Sequence, residues 1–162
     1  AGLESISGLK KLRKLRLRGT IVTDAGMKHV TGFSNLQDLD LSETPVSDAS
    51  MADIKQLKKL TKLNLWLSQM GDEGTVHLKD MTQLEWLNLD KTLITDATIP
   101  NLLELNNLTW LHVGSNSLTD AGAMQLKALT GLKYLNLTYC TEVGEEAQAA
   151  LNAALTETKL HF

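Results

Sequence analysis

Leucine recurs along this chain with a period that never slips: Leu12, Leu36, Leu60, Leu84, Leu108 and Leu132 stand 24 residues apart. Each opens the pattern L-x-x-L-x-L. The second place holds Leu15, Leu39, Leu63, Leu87, Leu111 and Leu135, and the third holds Leu17, Leu41, Leu65, Leu89, Val113 and Leu137. Apolar residues alternating with polar ones across these places have the two-residue period of a strand with one buried face. A small polar residue comes three positions after the third place: Thr20, Thr44, Ser68, Thr92, Asn116 and Cys140. Next come an apolar residue (Val22, Val46, Met70, Ile94, Leu118) and then Thr23-Asp24, Ser47-Asp48, Gly71-Asp72, Thr95-Asp96 and Thr119-Asp120. Thr, Ser and Asp cap helix N-termini, and an acid there suits the macrodipole. A helix of about two turns per repeat is therefore predicted. Its inward positions are Met27/Val30/Phe33, Met51/Ile54/Leu57, Val76/Leu78/Met81, Ile99/Leu102/Leu105 and Ala123/Leu126/Leu129.

Each unit thus reads strand, turn, short helix, return loop. Strands joined through helices lie parallel, with right-handed crossovers. The expected fold is an α/β right-handed solenoid, with a parallel sheet on its concave face and short helices on its convex face. The motif L-x-x-L-x-L-x-x-T-x-[IV]-[ST]-D-A resembles the leucine-rich repeat superfamily, in its 24-residue bacterial type. The sixth repeat departs, with one extra residue before Val143. Its Leu137-Thr138-Tyr139-Cys140 segment is similar to cysteine-containing leucine-rich repeats, which implies a turn-lining Cys140 and no nucleophile.

A single domain over 1–162 is expected: the tail of a preceding repeat at 1–11, six repeats at 12–156 and a terminal strand at 157–162. Leu3, Ile6 and Leu9 match Met27, Val30 and Phe33, so the chain opens inside a helix without that repeat's own strand. A piece cut from a longer chain is the first expectation. An unusual cap, or self-association through the open N-terminal edge, are the others.

Composition narrows the partners. A net charge of −3 gives no strong pull toward nucleic acid or acidic membranes. No apolar run approaches the ~20 residues that span a bilayer, so membrane insertion is not expected. Cys140 is the only cysteine, which excludes an intrachain disulfide. The compartment stays open between the cytoplasm and a bacterial envelope or secreted location after leader removal. Six basic residues within Lys10–Arg18 invite a nucleic-acid reading, but Asp38, Asp40 and Glu43 on the next strand oppose it.

Function should reside at the outward strand positions, because packing dictates the inward ones. Before the second leucine stand Lys14, Asp38, Lys62, Trp86, Trp110, Tyr134 and Lys159; after it stand Arg16, Asp40, Asn64, Asn88, His112, Asn136 and His161. Two further columns are Arg18, Ser42, Trp66, Asp90, Gly114, Thr138 and Gly19, Glu43, Leu67, Lys91, Ser115, Tyr139. Every Trp and Tyr of the chain falls in these four columns. With strands about 4.8 Å apart, Trp86, Trp110 and Tyr134 should stack as one strip. Trp66 and Leu67 should flank it, while Asn88, His112 and Asn136 run between. The candidate partner surface is Trp66, Trp86, Trp110, Tyr134, Tyr139, Asn88, His112, Asn136 and Asp90. Such a ladder can also be purely structural. In the N-terminal half, Arg16 beside Asp40, and Asp38 between Lys14 and Lys62, read as a cross-strand charge ladder.

No Gly-rich phosphate loop, H-E-x-x-H or zinc-spaced cysteine pair occurs. The chain is expected to be no enzyme and to need no cofactor or metal. The leading expectation is a protein- or peptide-binding module. A glycan-binding surface, or a structural segment of a larger regulatory or enzymatic protein, are the alternatives.

Overall fold

The computed structural model describes residues 2–162. Ala1, where the expected domain starts, lies outside the described residues. Seven three-residue strands form one sheet in chain order: β1 (Lys14–Arg16), β2 (Asp38–Asp40), β3 (Lys62–Asn64), β4 (Trp86–Asn88), β5 (Trp110–His112), β6 (Tyr134–Asn136) and β7 (Lys159–His161). All neighbours are parallel, and each step pairs equivalent residues, from Leu15↔Leu39 to Leu135↔Leu160. The strict leucine period gives this register, because a one-residue slip would turn every leucine toward water. Leu39, Leu63, Leu87, Leu111 and Leu135 are fully buried. Among the described residues β1 pairs on one side only, and Leu12 and Leu17 there are half-buried. Lys14 and Arg16 stand exposed on that edge.

The turn after each strand has a conformation that the sequence hardly signals. Gly19, Glu43, Leu67, Lys91, Ser115 and Tyr139 all have φ between 53° and 66°. Thr20, Ser68 and Cys140 close four-residue turns by donating to Leu17, Leu65 and Leu137 at 3.1 Å, with the left-handed residue in third place as in a type II turn. Left-handed backbone costs a non-glycine residue about 1–2 kcal/mol. It is held because the same residue's N–H continues the sheet, as Glu43 does to the Trp66 carbonyl at 2.8 Å and Leu67 to Asp90 at 3.0 Å. Behind the turn, the Thr44 and Thr92 hydroxyls donate to the carbonyls three residues back, at 2.6 and 2.8 Å. Asn116 donates to Leu89, Val113 and Gly114. In the equivalent place the buried Cys140 thiol points at the Val113 carbonyl, 3.4 Å away, and burial pushes its pKa up. It is a turn-lining core residue.

The convex side departs from the expected two-turn helices. After α1 (Gly2–Ile6), the helices α2 (Asp24–Met27), α3 (Met51–Ile54), α4 (Asp72–Thr75) and α5 (Ile99–Leu102) have four residues each. Three-residue 3-10 turns such as Val30–Gly32, Asp48–Ser50 and Leu78–Asp80 adjoin them. Among the described residues after α1, α6 (Asp120–Gln125) and α7 (Glu145–Ala154) run longer. The 24-residue period also overrules local hydrophobicity. Val76, expected inside, is 42% exposed, and Thr75 takes the inward place of Met27, Met51 and Ile99. The Thr75 hydroxyl is satisfied there by that of Thr98, 3.1 Å away.

The aspartates at the helix starts also do something other than cap their own helices. Each reaches into the next repeat. Asp24 accepts from the Ser47 N–H at 2.8 Å, the Ser47 hydroxyl at 2.7 Å and the Ser50 hydroxyl. Asp48 accepts from the Gly71 N–H at 2.6 Å and Asp120 from that of Gly144 at 2.7 Å. Asp72 takes the N–H and hydroxyl of Thr95 and the hydroxyl of Thr98; Asp96 takes the N–H and hydroxyl of Thr119. Of the expected caps, Thr95 and Thr119 alone receive a helix N–H on their own side chains. Partial burial pushes the Asp24 and Asp72 carboxyls up, but the bonds they accept outweigh it and hold both below the ordinary aspartate range.

Candidate functional site

The concave face is the surface left by the outward columns. Its central feature is a stack of rings, one per strand. Trp86 on β4 and Trp110 on β5 lie with centroids 4.2 Å apart and planes 13° apart; Trp110 and Tyr134 on β6 are 4.9 Å and 3° apart. Register places all three in one column, and parallel strand spacing matches the thickness of stacked rings. Both outer ends of the stack are covered. The Lys62 ammonium sits 4.2 Å from the Trp86 centroid, and the His161 ring lies 5.1 Å from Tyr134.

This geometry decides which parts of the rings meet solvent. Their faces are spent on one another and on the two end groups, so the half-buried rings present edges. Among the described residues none accepts a hydrogen bond from the indole N–H of Trp66, Trp86 or Trp110, and none of those N–H groups is buried.

The neighbouring polar column is equally one-sided. The Asn64 side-chain oxygen accepts the Trp66 N–H at 3.2 Å, that of Asn88 the Asp90 N–H at 2.9 Å, and that of Asn136 the Thr138 N–H at 2.8 Å. Asn136 also donates to the Tyr134 hydroxyl at 3.1 Å. In these Asx contacts each amide oxygen accepts a backbone N–H, and the NH₂ groups of Asn64 and Asn88 have no partner among the described residues.

Asp90 and His112 meet across β4 and β5. The His112 Nε2 is 3.7 Å from an Asp90 carboxylate oxygen and has no hydrogen-bond partner. Its ring lies over Gly114, where a Cβ would come within 2.9 Å of Nε2 and 2.6 Å of the Thr138 carbonyl. Glycine at 114 is what lets the imidazole lie down on the sheet. Burial depresses the His112 pKa, Asp90 and Asn136 oppose that, and His161 adds to it; the net direction is downward. The imidazole is therefore neutral near pH 7, and the 3.7 Å contact is no ion pair there.

The nine expected surface residues are not one cluster. Trp86, Trp110, Tyr134, His112 and His161 share ring contacts. Trp66 stands two columns away, beyond the asparagine column, with the Arg18 guanidinium 5.1 Å from its ring. Tyr139 occupies a left-handed turn position, 82% exposed and outside the stack. Lys62, Asn64 and Gly114 belong to the site although residue type alone did not single them out. Their signal was present in the columns, where Lys62 precedes Trp86 and Asn64 precedes Asn88.

The N-terminal half of the face is paired differently from the expected ladder. Asp38, nearly buried, faces Lys14 at 3.5 Å and Arg16 at 4.0 Å. Asp40 turns away from Arg16 and accepts the N–H and hydroxyl of Ser42 at 3.0 and 2.6 Å. Arg18 pairs with Glu43 at 2.6 Å. Among the described residues no group of three or more His, Cys, Asp or Glu could hold a metal ion, and no helix is long and apolar enough to cross a membrane.

A family model described as Leucine Rich repeat matches residues 104–127. None of the curated proteins matches the chain. Among solved structures, an internalin (inlF) from Listeria monocytogenes is similar with a TM-score of 0.72 at 20% identity, over 99% of this chain and 50% of that one. An internalin C2 (inlC2) from the same species is similar with a TM-score of 0.64 at 21% identity, over 98% of this chain and 79% of that one. This chain thus spans about half the length of the first. At these identities the likeness carries the fold. With the repeat match, the unbroken leucine period and the seven-stranded parallel sheet, it shows that the fold of this chain is a leucine-rich repeat solenoid.

Proposed function

We propose that this chain is a non-catalytic protein- or peptide-binding module whose contact surface is the concave face over β3–β6. Leucine-rich repeats typically serve as protein-binding scaffolds. The observation that carries the reading is the set of indole N–H groups of Trp66, Trp86 and Trp110, left accessible and unpartnered on a sheet face. Trp at a protein surface supplies much of the energy of typical interfaces, and an unpaired donor beside it adds direction. The geometry favours this over the glycan reading. A sugar stacks on a ring face, and the faces of Trp86, Trp110 and Tyr134 are covered.

The test is selection of a displayed random-peptide library on the chain, in parallel with Trp66→Ala, Trp86→Ala and the convex-side control Lys127→Ala, each established as folded by circular dichroism and thermal unfolding. Enrichment should occur on the parent and on Lys127→Ala, and drop on the two tryptophan variants. No enrichment on the parent, or the same enrichment on all four, would overturn the proposal.

Self-association through the β1 edge is a separate proposal, which the side chains there oppose. Two copies meeting at that edge would bring Lys14 and Arg16 of each together. Sedimentation should show one species whose mass does not change with concentration.

A further inference from the structure

We infer that the ligand of the β3–β5 portion of the concave face is an acidic peptide segment, held through its carboxylates; this rests on the peptide-binding reading above. Several hydrogen-bonding atoms on this face remain free once the chain's own bonds are made.

The amide oxygens of Asn64 and Asn88 are taken by the N–H groups of Trp66 and Asp90. What stays free is their NH₂ groups, on adjacent strands and in register, so they lie about one strand spacing apart. That is near enough for one carboxylate to bridge both. The Lys62 ammonium stands beside them on β3, lying over Trp86 without a carboxylate partner. The indole N–H groups of Trp66 and Trp86 border the same two strands. Ring edges, which the stack turns outward, are the electropositive part of an aromatic ring. Every one of these groups donates or is electropositive.

Charge points the same way. Across the outward columns from β3 to β7 the cations are Lys62, Lys91 and Lys159, and the sole carboxylate is Asp90, in a chain whose net charge is −3. The Asp90 carboxylate lies 3.7 Å from the His112 Nε2 on β5. In the N-terminal half Lys14, Arg16 and Arg18 stand against Asp38, Asp40 and Glu43, so the outward columns there carry no net charge. A locally cationic surface rich in unpaired donors complements an acceptor-rich anion.

A peptide alternating Glu with Ala, its Gln and Lys counterparts, and a single-stranded oligonucleotide of equal charge are titrated into the full chain, followed by tryptophan fluorescence and calorimetry. The Glu peptide should bind at least about tenfold tighter than the Gln peptide. The Lys peptide should not bind. Lys62→Glu and Asn88→Asp should each weaken the Glu peptide about tenfold or more, and Lys127→Glu should leave it unchanged. Circular dichroism and thermal unfolding establish that each variant is folded, and Lys62→Gln gives a milder change at the same place. Equal binding of the Glu and Gln peptides, or preference for the Lys peptide, would overturn the acidic assignment while leaving a peptide-binding face. An oligonucleotide binding as tightly as the Glu peptide would overturn it in favour of a phosphate ligand. Failure of every peptide, together with an unenriched library, would remove the peptide-binding reading itself.

Discussion

The two halves of the concave sheet share one backbone and one buried leucine column, yet they treat their outward groups in opposite ways. Over β1 and β2 the charged groups are partnered inside the chain: Lys14 and Arg16 on Asp38, Arg18 on Glu43, and Asp40 on the N–H and hydroxyl of Ser42. Over β3–β6 the ring faces are covered and the amide oxygens hold backbone N–H groups, while the amide and indole donors are left without partners among the described residues. A solenoid can hold its skeleton constant and still give one stretch a self-satisfied surface and the next a surface with unmet hydrogen bonds. The unmet stretch is where a partner gains most, because bonding there displaces only water.

The largest expected effect tests whether the skeleton really is common to both halves. Leu39→Ala on β2 and Leu87→Ala on β4 remove fully buried side chains from equivalent places, and each should cost about 2–5 kcal/mol. Chemical denaturation of the two variants should give values within about 1 kcal/mol of each other, allowing for local relaxation. A larger gap would mean that the halves are not packed alike.

The next effect separates their surfaces. Trp110→Ala breaks two ring stacks at once and should cost about 1–3 kcal/mol beyond the area lost, whereas Arg18→Ala breaks one exposed ion pair worth about 0.2–1 kcal/mol. High salt should erase the Arg18 effect and leave the Trp110 effect in place. If the two variants were equally destabilised, the stack would have no structural part. The aromatic strip is thus expected to contribute to folding as well as to binding, so its alanine variants alone cannot separate the two. Lys62 and Asn88, at the margin of the stack, separate them better.

The smallest effect concerns what the halves share on the convex side. Asp24→Asn and Asp72→Asn each weaken a carboxylate that accepts three hydrogen bonds from the next repeat, and each should cost about 1–2 kcal/mol, reduced by partial exposure. Both carboxyls have pKa values lowered in the folded state. Their contribution is therefore present above the unfolded aspartate value of about 3.9 and lost as the pH falls through the folded one. Thermal unfolding from pH 7 downward should show the parent approaching the stability of the two variants only below about pH 4. A gap unchanged at pH 3 would mean that the bonds do not depend on the ionised form.

Most of the fold was legible because it follows from periodicity. A 24-residue spacing of Leu12 to Leu132 dictates which residues face inward, and with it the strand register, the parallel order and the column each outward residue occupies. At one place the expectation follows local hydrophobicity and fails: Val76 is expected inside, yet Thr75, 24 residues from Met51, takes that place. The stacking of Trp86, Trp110 and Tyr134 followed from the same columns. Less legible were atoms whose partner lies in the next repeat. Asp24 and Asp72 read as ordinary helix-start residues, because a motif shows the residue type and not the N–H that stacking brings to it. Arg16 beside Asp40 looked like a pair, yet Asp40 bonds Ser42 and Arg16 leans to Asp38.

The sequence by itself determined the skeleton and the roster of the concave face, since burial of a repeating leucine face leaves a single register in which water is excluded. Tertiary structure alone decided what that roster offers a partner. Whether a tryptophan shows a face or an edge, or an asparagine its oxygen or its NH₂, depends on which neighbouring group has already claimed the other side. Those claims are settled across strands about 4.8 Å apart that are a full repeat apart along the chain.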